Sequence, residues 1–199
     1  MNIQLFEGEL IRLDSIDPEK DAETLSKWTH DPEYLRLTDP DPARPLSPGQ
    51  IKKKLEEREK EAEKRPQFHF AIRLRSDDRL IGLASIPWVA WTHSMGSLRL
   101  SIGRPEDRGK GYGSEAIKMI LRYAFDELNL HRIGADTFEY NTGALRFLER
   151  HGFVVEVRRR QAIHRDGRRW DALMLGLLRE EWQRVTSGVP RHAALITCH

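Results

Sequence analysis

"RPEDRGKGYGSEAIKMILRYAF", Arg104 to Phe125, sets three glycines within five residues directly before a patterned run. Glycine is costly inside regular structure, so a cluster at this point needs a physical reason. The run places Ala116, Ile117, Ile120, Leu121, Ala124, Phe125 and Leu128 on one face at helical spacing. A helix that begins at the glycines has main-chain N–H groups with no partner inside it, at the positive end of its dipole. Bare backbone there lets a phosphate approach, and Arg108 and Lys110 add positive charge. The competing reading is a tight turn that needs positive φ, for which one glycine would serve.

Two nucleotide motifs fail on spacing. A dinucleotide fingerprint has Ser114 where its third glycine belongs, with Gly113 arriving one residue early. A Walker A loop needs four residues between its glycines, whereas five separate Gly103 from Gly109, and Gly111 stands where a Mg²⁺-binding hydroxyl is required.

Working outward, "ELIRLDSI" (Glu9 to Ile16) alternates as a strand. Asp17-Pro18 predicts a helix start that carries Leu25 and Trp28 inward and stops near Asp31-Pro32. "TDPDPARPLSP" reads as a loop, and Ser47, Pro48 and Gln50 resemble a capping box. The charged helix after it has Ile51, Leu55 and Ala62 as its inner stripe. "QFHFAIRLR" and "LIGLASIPWVAW" around "SDDR" predict an antiparallel hairpin, and "SLRLSIG" a further strand. Past the glycine helix come the strand "HRIGADTF", a helix from Asn141 to Arg150 closed by Gly152, a hairpin around "HRDGRR", and helical "REEWQRV". This order predicts a mixed α/β (α+β) fold around one sheet.

The 199 residues suit a single domain, expected over 1–185, with a tail over 186–199. Hydrophobic residues at 39% can build a core beneath a surface in which 33 basic side chains balance 31 acidic ones, so nucleic acid is not an expected partner. The single cysteine, Cys198, can form no internal disulfide, and a reducing cytoplasm is expected. No signal-peptide pattern opens the sequence and no apolar run is long enough to cross a bilayer, so no membrane partner is expected. The eight histidines show no metal-ligand spacing, so no metal is expected. The five tryptophans read as core or interface anchors, although "IPWVAWTHS" is a candidate lining for an acceptor site.

Arg108-Gly109-Lys110-Gly111-Tyr112-Gly113 resembles the (Gln/Arg)-x-x-Gly-x-(Gly/Ala) signature of the GNAT acyltransferases. The wider string "IGRPEDRGKGYGSEAIKMILRYAFDELNLHRI" resembles the branch with the RimJ and RimL N-acetyltransferases. "EYNTGALRFLERHGF" and "HRDGRRWDALMLGLLREEW" resemble later segments of that branch, and the likeness extends over about Leu10 to Trp182. The resemblance implies the GNAT fold, a mixed, mostly antiparallel sheet splayed at an acyl-CoA site and flanked by helices. It implies acetyl-CoA as cosubstrate, its pyrophosphate on the amides of Arg108, Gly109, Lys110, Gly111, Tyr112, Gly113 and Ser114. The pantetheine arm would then run along "SLRLSIG", at Ile102 among others, and Asn141 would hydrogen-bond the cofactor; a helix cap is its plainer reading.

The implied reaction is N-acetyl transfer to a primary amine, a small molecule or a protein N-terminus, by direct attack; a homodimer is admitted. Such chemistry needs a deprotonated amine, an oxyanion donor and a proton for the leaving thiolate. A backbone N–H of Leu98–Gly103 is the expected oxyanion donor. Many family members carry a tyrosine where this chain has Leu148, and some relatives a serine where it has Ala144. A thiol is acidic enough, with a pKa of about 8.5 for a free cysteine, for the thiolate to leave without either. A strand carboxylate used as base elsewhere is absent near Ser97; Glu139 is the first choice here, with Asp136, His69 and His93 as further candidates. The missing tyrosine and carboxylate motivate a rival, a non-catalytic acyl-CoA-binding sensor of the same fold.

Overall fold

A computed structural model describes residues 4–62 and 65–187. In chain order the elements are β1 (Ile11–Asp14), α1 (Pro18–Thr29), α2 (Pro32–Thr38), α3 (Pro48–Ala62), β2 (Phe68–Leu74), β3 (Leu80–Ile86) and β4 (Val89–Ala90). They continue as β5 (Met95–Ile102), α4 (Tyr112–Arg122), β6 (Arg132–Phe138), α5 (Thr142–Arg150), β7 (Val154–Arg165), β8 (Arg168–Leu178) and α6 (Arg179–Ser187). The rest of the tail expected from 186, with Cys198, lies outside the described residues.

The eight strands form one sheet, ordered β1-β2-β3-β5-β6-β8-β7, with β4 on β5 off that path. Among the described residues only the β5–β6 pairing is parallel; the other strand pairings are antiparallel. Strand alternation gives the sheet two apolar faces. Ile72, Leu74, Ala84, Ile86 and Leu98 pack with Ala116, Ile117, Ile120, Leu121, Ala124 and Phe125 on one side. Ala71 and Leu80 pack with Leu25 and Trp28 of α1 and Ile51 and Leu55 of α3 on the other. Each fully buried large apolar side chain stabilises the fold by about 1.5–3 kcal/mol.

The helix starts follow local chemistry. Asp17 Oδ1 accepts from the N–H groups of Glu19 (2.9 Å) and Lys20 (3.2 Å), as an N-cap should. Ser47 and Gln50 make the reciprocal box: Ser47 N–H donates to Gln50 Oε1 (2.9 Å) and Gln50 N–H to Ser47 Oγ (3.3 Å). Asp31-Pro32 does more than end α1. Asp31 Oδ1 accepts from Glu33 N–H at 2.9 Å, so the same pair opens α2.

One expectation needs correction. The glycine-led helix is α-helical only to Arg122; Tyr123–Glu127 widens into a π turn, with Phe125 buried and its ring tilted against Trp182 at 5.0 Å between centroids, and Leu128 half-buried. Of the tryptophans, Trp28 is buried in the core, while Trp88 and Trp91 lie outside it, exposed beside the two-residue β4. β7 carries a bulge between Arg159 and Ile163, where Gln161 has φ of 52°.

Candidate functional site

The sheet opens where its one parallel pairing ends. Leu98↔Ala135 is the last β5–β6 pair, yet β5 stays paired with β3 through Ile102 and β6 with β8 through Phe138. Two strand edges therefore diverge with no partner for each other. Gly103 N–H donates to Ile81 O at 2.9 Å, towards β3. Alternation then turns the main-chain groups of Leu100 and Ile102 into the gap, free to accept an extended ligand.

α2 spans the gap. On the β5 side Tyr34 Oη lies 3.1 Å from Ser101 Oγ. On the β6 side Tyr140 Oη donates to Arg36 O at 2.7 Å and Asn141 Nδ2 to Leu37 O at 3.1 Å. Arg165, at the tip of the β7–β8 hairpin, donates to Asp39 O and Asp41 O at 2.8 Å. Tyr34 is buried, which raises its phenol above the ordinary range.

At the far end of β5 lies the glycine segment. Gly109 has φ of 75° and Gly111 φ of 90°, and Gly111 is the N-cap of α4 with no side chain to cap it. The first intrahelical bond there is Glu115 N–H to Gly111 O (3.0 Å), so the amides of Tyr112, Gly113 and Ser114 point out of the helix end. The turn reading thus accounts for Gly109 and Gly111. It does not account for Gly113, where a Cβ would find its nearest neighbours in Phe147 and Ile102, at ordinary contact distances of 3.6–3.9 Å. Gly113 lies where the end of β5, α4 and α5 converge, so the amide cluster and the free strand edge are continuous. Lys110 is exposed, and Arg108 Nη2 donates to Gly103 O at 3.2 Å. A cap without a side chain, outward amides and flanking cations fit a phosphate-bearing ligand.

Two side chains that sequence reading missed hold this segment in place. Arg79, in the β2–β3 turn, grips buried Asp107 with two bonds of 2.7 and 3.0 Å. Glu115 accepts from the N–H groups of Leu10 (2.9 Å), Ile11 (3.1 Å) and Glu9, which binds the start of α4 to β1. The hydrogen bond from Arg79 holds the Asp107 carboxyl below the usual aspartate range. Its stabilising contribution is therefore full above about pH 4 and is lost as pH falls through the depressed value. Asp107→Asn should lower the urea midpoint at pH 7, and the difference from the parent chain should shrink on acidification. A gap that stays constant from pH 7 to pH 3 would contradict the ion pair's role.

The candidate base and cap residues are placed as follows. Glu139 is engaged on both oxygens: Oε1 with Arg158 Nη1 at 3.3 Å and Oε2 with the N–H of Asp171 at 3.1 Å. Asn141 caps α5, its Oδ1 accepting from Ala144 N–H at 3.0 Å. Its amide keeps one N–H and one lone pair beyond the cap and the Leu37 contact. His69 is half-buried, and burial, with Arg58 and Arg99 nearby, lowers its pKa. Asp136 is exposed on β6, His93 is exposed in a short turn before β5, and Leu148 is buried in the core. Among the described residues no group of His, Cys, Asp or Glu is arranged to hold a metal, and no helix is long and apolar enough to cross a membrane.

Comparison with known proteins gives consistent findings. The profile described as "Acetyltransferase (GNAT) domain" matches residues 11–154. The chain is similar to "Probable N-acetyltransferase YjcK" of Bacillus subtilis (strain 168), 37% identical over 131 residues, or 64% of this chain and 70% of that protein. It is also similar to the "SPbeta prophage-derived uncharacterized N-acetyltransferase YokL" of the same organism, 28% identical over 92% of this chain and 98% of the relative. Among solved structures, a spermidine N-acetyltransferase from Vibrio cholerae in complex with CoA and spermine superposes with a TM-score of 0.75 at 21% identity, covering 87% of this chain and 98% of that one. At that identity the likeness speaks to the fold.

Proposed function

This chain belongs to the GNAT acetyltransferase family, and on that premise we propose that it moves the acetyl group of acetyl-CoA to a primary amine by direct attack. The observation that carries the reading is the continuity of two features: an unpaired strand edge at Leu100 and Ile102, and outward amides at Tyr112, Gly113 and Ser114. One suits an extended amide-bearing arm and the other a diphosphate. We assign the diphosphate to Arg108, Gly109, Lys110, Gly111, Tyr112, Gly113 and Ser114, the arm to Ile102, and a supporting hydrogen bond to Asn141. The order of motifs also supports the RimJ/RimL-like branch, and a cytoplasmic setting belongs to the same reading.

Acetyl-CoA supplies an activated thioester. The chain's part is to fix it, to exclude water beneath α2, and to offer a main-chain N–H of the Leu98–Gly103 segment to the developing oxyanion. Glu139 would have to leave Arg158 and Asp171 before it could take a proton, which makes it a poor base where it stands. Leu148 has no proton to give, so the thiolate leaves unaided or is protonated by solvent.

The test is thiol release from acetyl-CoA with a panel of amines, beside CoA binding by calorimetry. Turnover with at least one amine is expected; tight CoA binding with no turnover on any of them favours the non-catalytic sensor. Leu148→Ala should cost about 2–5 kcal/mol of stability as a core truncation. Its single-turnover rate at saturating substrates should stay within about threefold of the parent on the scale of rate against barrier. A selective collapse of that rate, with folding and CoA affinity intact, would return Leu148 to the chemistry.

A further inference from the structure

At the mouth of the gap, two oppositely charged side chains face the same way without touching. Leu98 and Ala135, the last β5–β6 pair, both point into the α4 side of the core. The next residue of each strand, Arg99 and Asp136, therefore points to the opposite face of the sheet, the face on which Ser101 meets Tyr34 of α2. Both are exposed. Their strands are about 4.8 Å apart at the pair and diverge beyond it. Among the described residues neither makes an ion pair within 4.0 Å, even with the other.

The surroundings differ in sign. Ser85 lies in register beside Arg99 and His69 beside Ser85, in a row across β5, β3 and β2. The charges that bear on His69 are Arg58 and Arg99, both cationic. On the other arm Asp136 has the exposed Met174 in register beside it. The β5 side of the mouth is therefore cationic, and its β6 side ends in a lone carboxylate.

We propose that Arg99 and Asp136 form the acceptor subsite, which selects a small amine carrying a carboxylate a few bonds from its nitrogen, an α-amino acid or its close analogue. Arg99 takes the carboxylate and Asp136 the ammonium. This deepens the acetyltransferase reading and rests on it. The amine gives up two protons in all: one reaches solvent by way of Asp136, and one ends on the thiol sulfur. The nitrogen lone pair forms the C–N bond at the thioester carbonyl, and the C–S bond breaks with its electrons leaving on sulfur. Polyamines, which lack an anion and would bring further positive charge towards Arg99 and Arg58, are rejected by repulsion.

The experiment compares α-amino acids, their α-carboxamides and spermidine as acceptors with the full chain, and measures CoA affinity in parallel. The best amino acid should exceed its carboxamide by about 10- to 100-fold in kcat/KM, the worth of a hydrogen bond to a charged group. Arg99→Ala should bring that ratio near one through KM with the CoA Kd unmoved, while Arg99→Lys keeps part of it. Asp136→Asn should lower kcat for every acceptor that works. Equal rates with acid and carboxamide, preference for spermidine, or a ratio that survives Arg99→Ala would each overturn the proposal. Absence of transfer to any acceptor overturns it too, and the CoA measurement then decides whether the cofactor reading stands alone.

Discussion

Gly111→Asp raises the Kd for CoA by at least about 100-fold, a loss of nearly 3 kcal/mol. Two effects add. Residue 111 has φ of 90°, a conformation that a side-chain-bearing residue holds at a cost of about 1–3 kcal/mol, which weakens binding by as much as the free loop relaxes away from it. The new carboxylate would also stand at the cap of α4, where the ligand's diphosphate is placed; two unit charges 4 Å apart near a surface repel by about 4 kcal/mol. Gly111→Ala separates the two, because it meets only the backbone strain, with its nearest neighbour, Leu10 Cδ1, at 3.7 Å. The alanine variant should therefore bind CoA far better than the aspartate variant. Equal affinities would mean that charge at this cap is irrelevant. Calorimetric titration of both, with melting curves to show that they fold, checks the prediction.

The second large effect concerns stability. Arg73 on β2 is 2% exposed and Asp21 on α1 is 1% exposed, and Arg73 Nη2 reaches both carboxylate oxygens at 2.9 and 2.8 Å. Its Nε also donates to Asp14 at 3.2 Å. Asp21→Ala leaves the guanidinium buried with only the partly exposed Asp14 to face, at an expected cost of about 3–5 kcal/mol. Asp14→Asn should cost much less, since that carboxylate is one-third exposed and its partner keeps Asp21. Asp21 also accepts from Asp17 N–H at 2.9 Å, so its loss loosens the start of α1. Through Trp28 and Tyr34, α1 supports the helix that spans the gap. In urea unfolding the parent should be most stable, Asp14→Asn next and Asp21→Ala least, and a small loss for Asp21→Ala would show that the pair is not isolated from water.

Local chemistry made much of this fold legible. Capping by Asp17 and the box of Ser47 and Gln50 are i to i+2 or i+3 events that a sequence shows directly. The apolar faces at Ala116–Phe125 and along β2 follow from periods of 3.6 and 2. Asp31-Pro32 was ambiguous for the same reason: a cap-and-proline pair ends one helix and begins another, and only packing tells whether the chain continues. The π turn at Tyr123–Glu127 has no composition signal, because apolar spacing remains compatible with an α-helix until Leu128.

The site was legible where the main chain does the work, at Gly109 and Gly111, whose residue type reports their φ. It was opaque where partners are distant in sequence. Arg79 and Asp107 stand 28 residues apart and Glu115 meets β1 more than 100 residues away. Glu139 looked available because its place before Asn141 is visible, whereas its engagement by Arg158 and Asp171 depends on the bulged hairpin. Arg99 and Asp136 become neighbours only through the parallel β5–β6 register.

The central claim is that main-chain amides at the start of α4 hold the diphosphate of coenzyme A. A crystal structure with acetyl-CoA tests it most directly. The diphosphate oxygens should lie within hydrogen-bond distance of the Gly111–Ser114 amides, with the pantetheine arm bonded to Leu100 or Ile102. A ligand whose diphosphate is seated elsewhere, with those amides facing water, would contradict it.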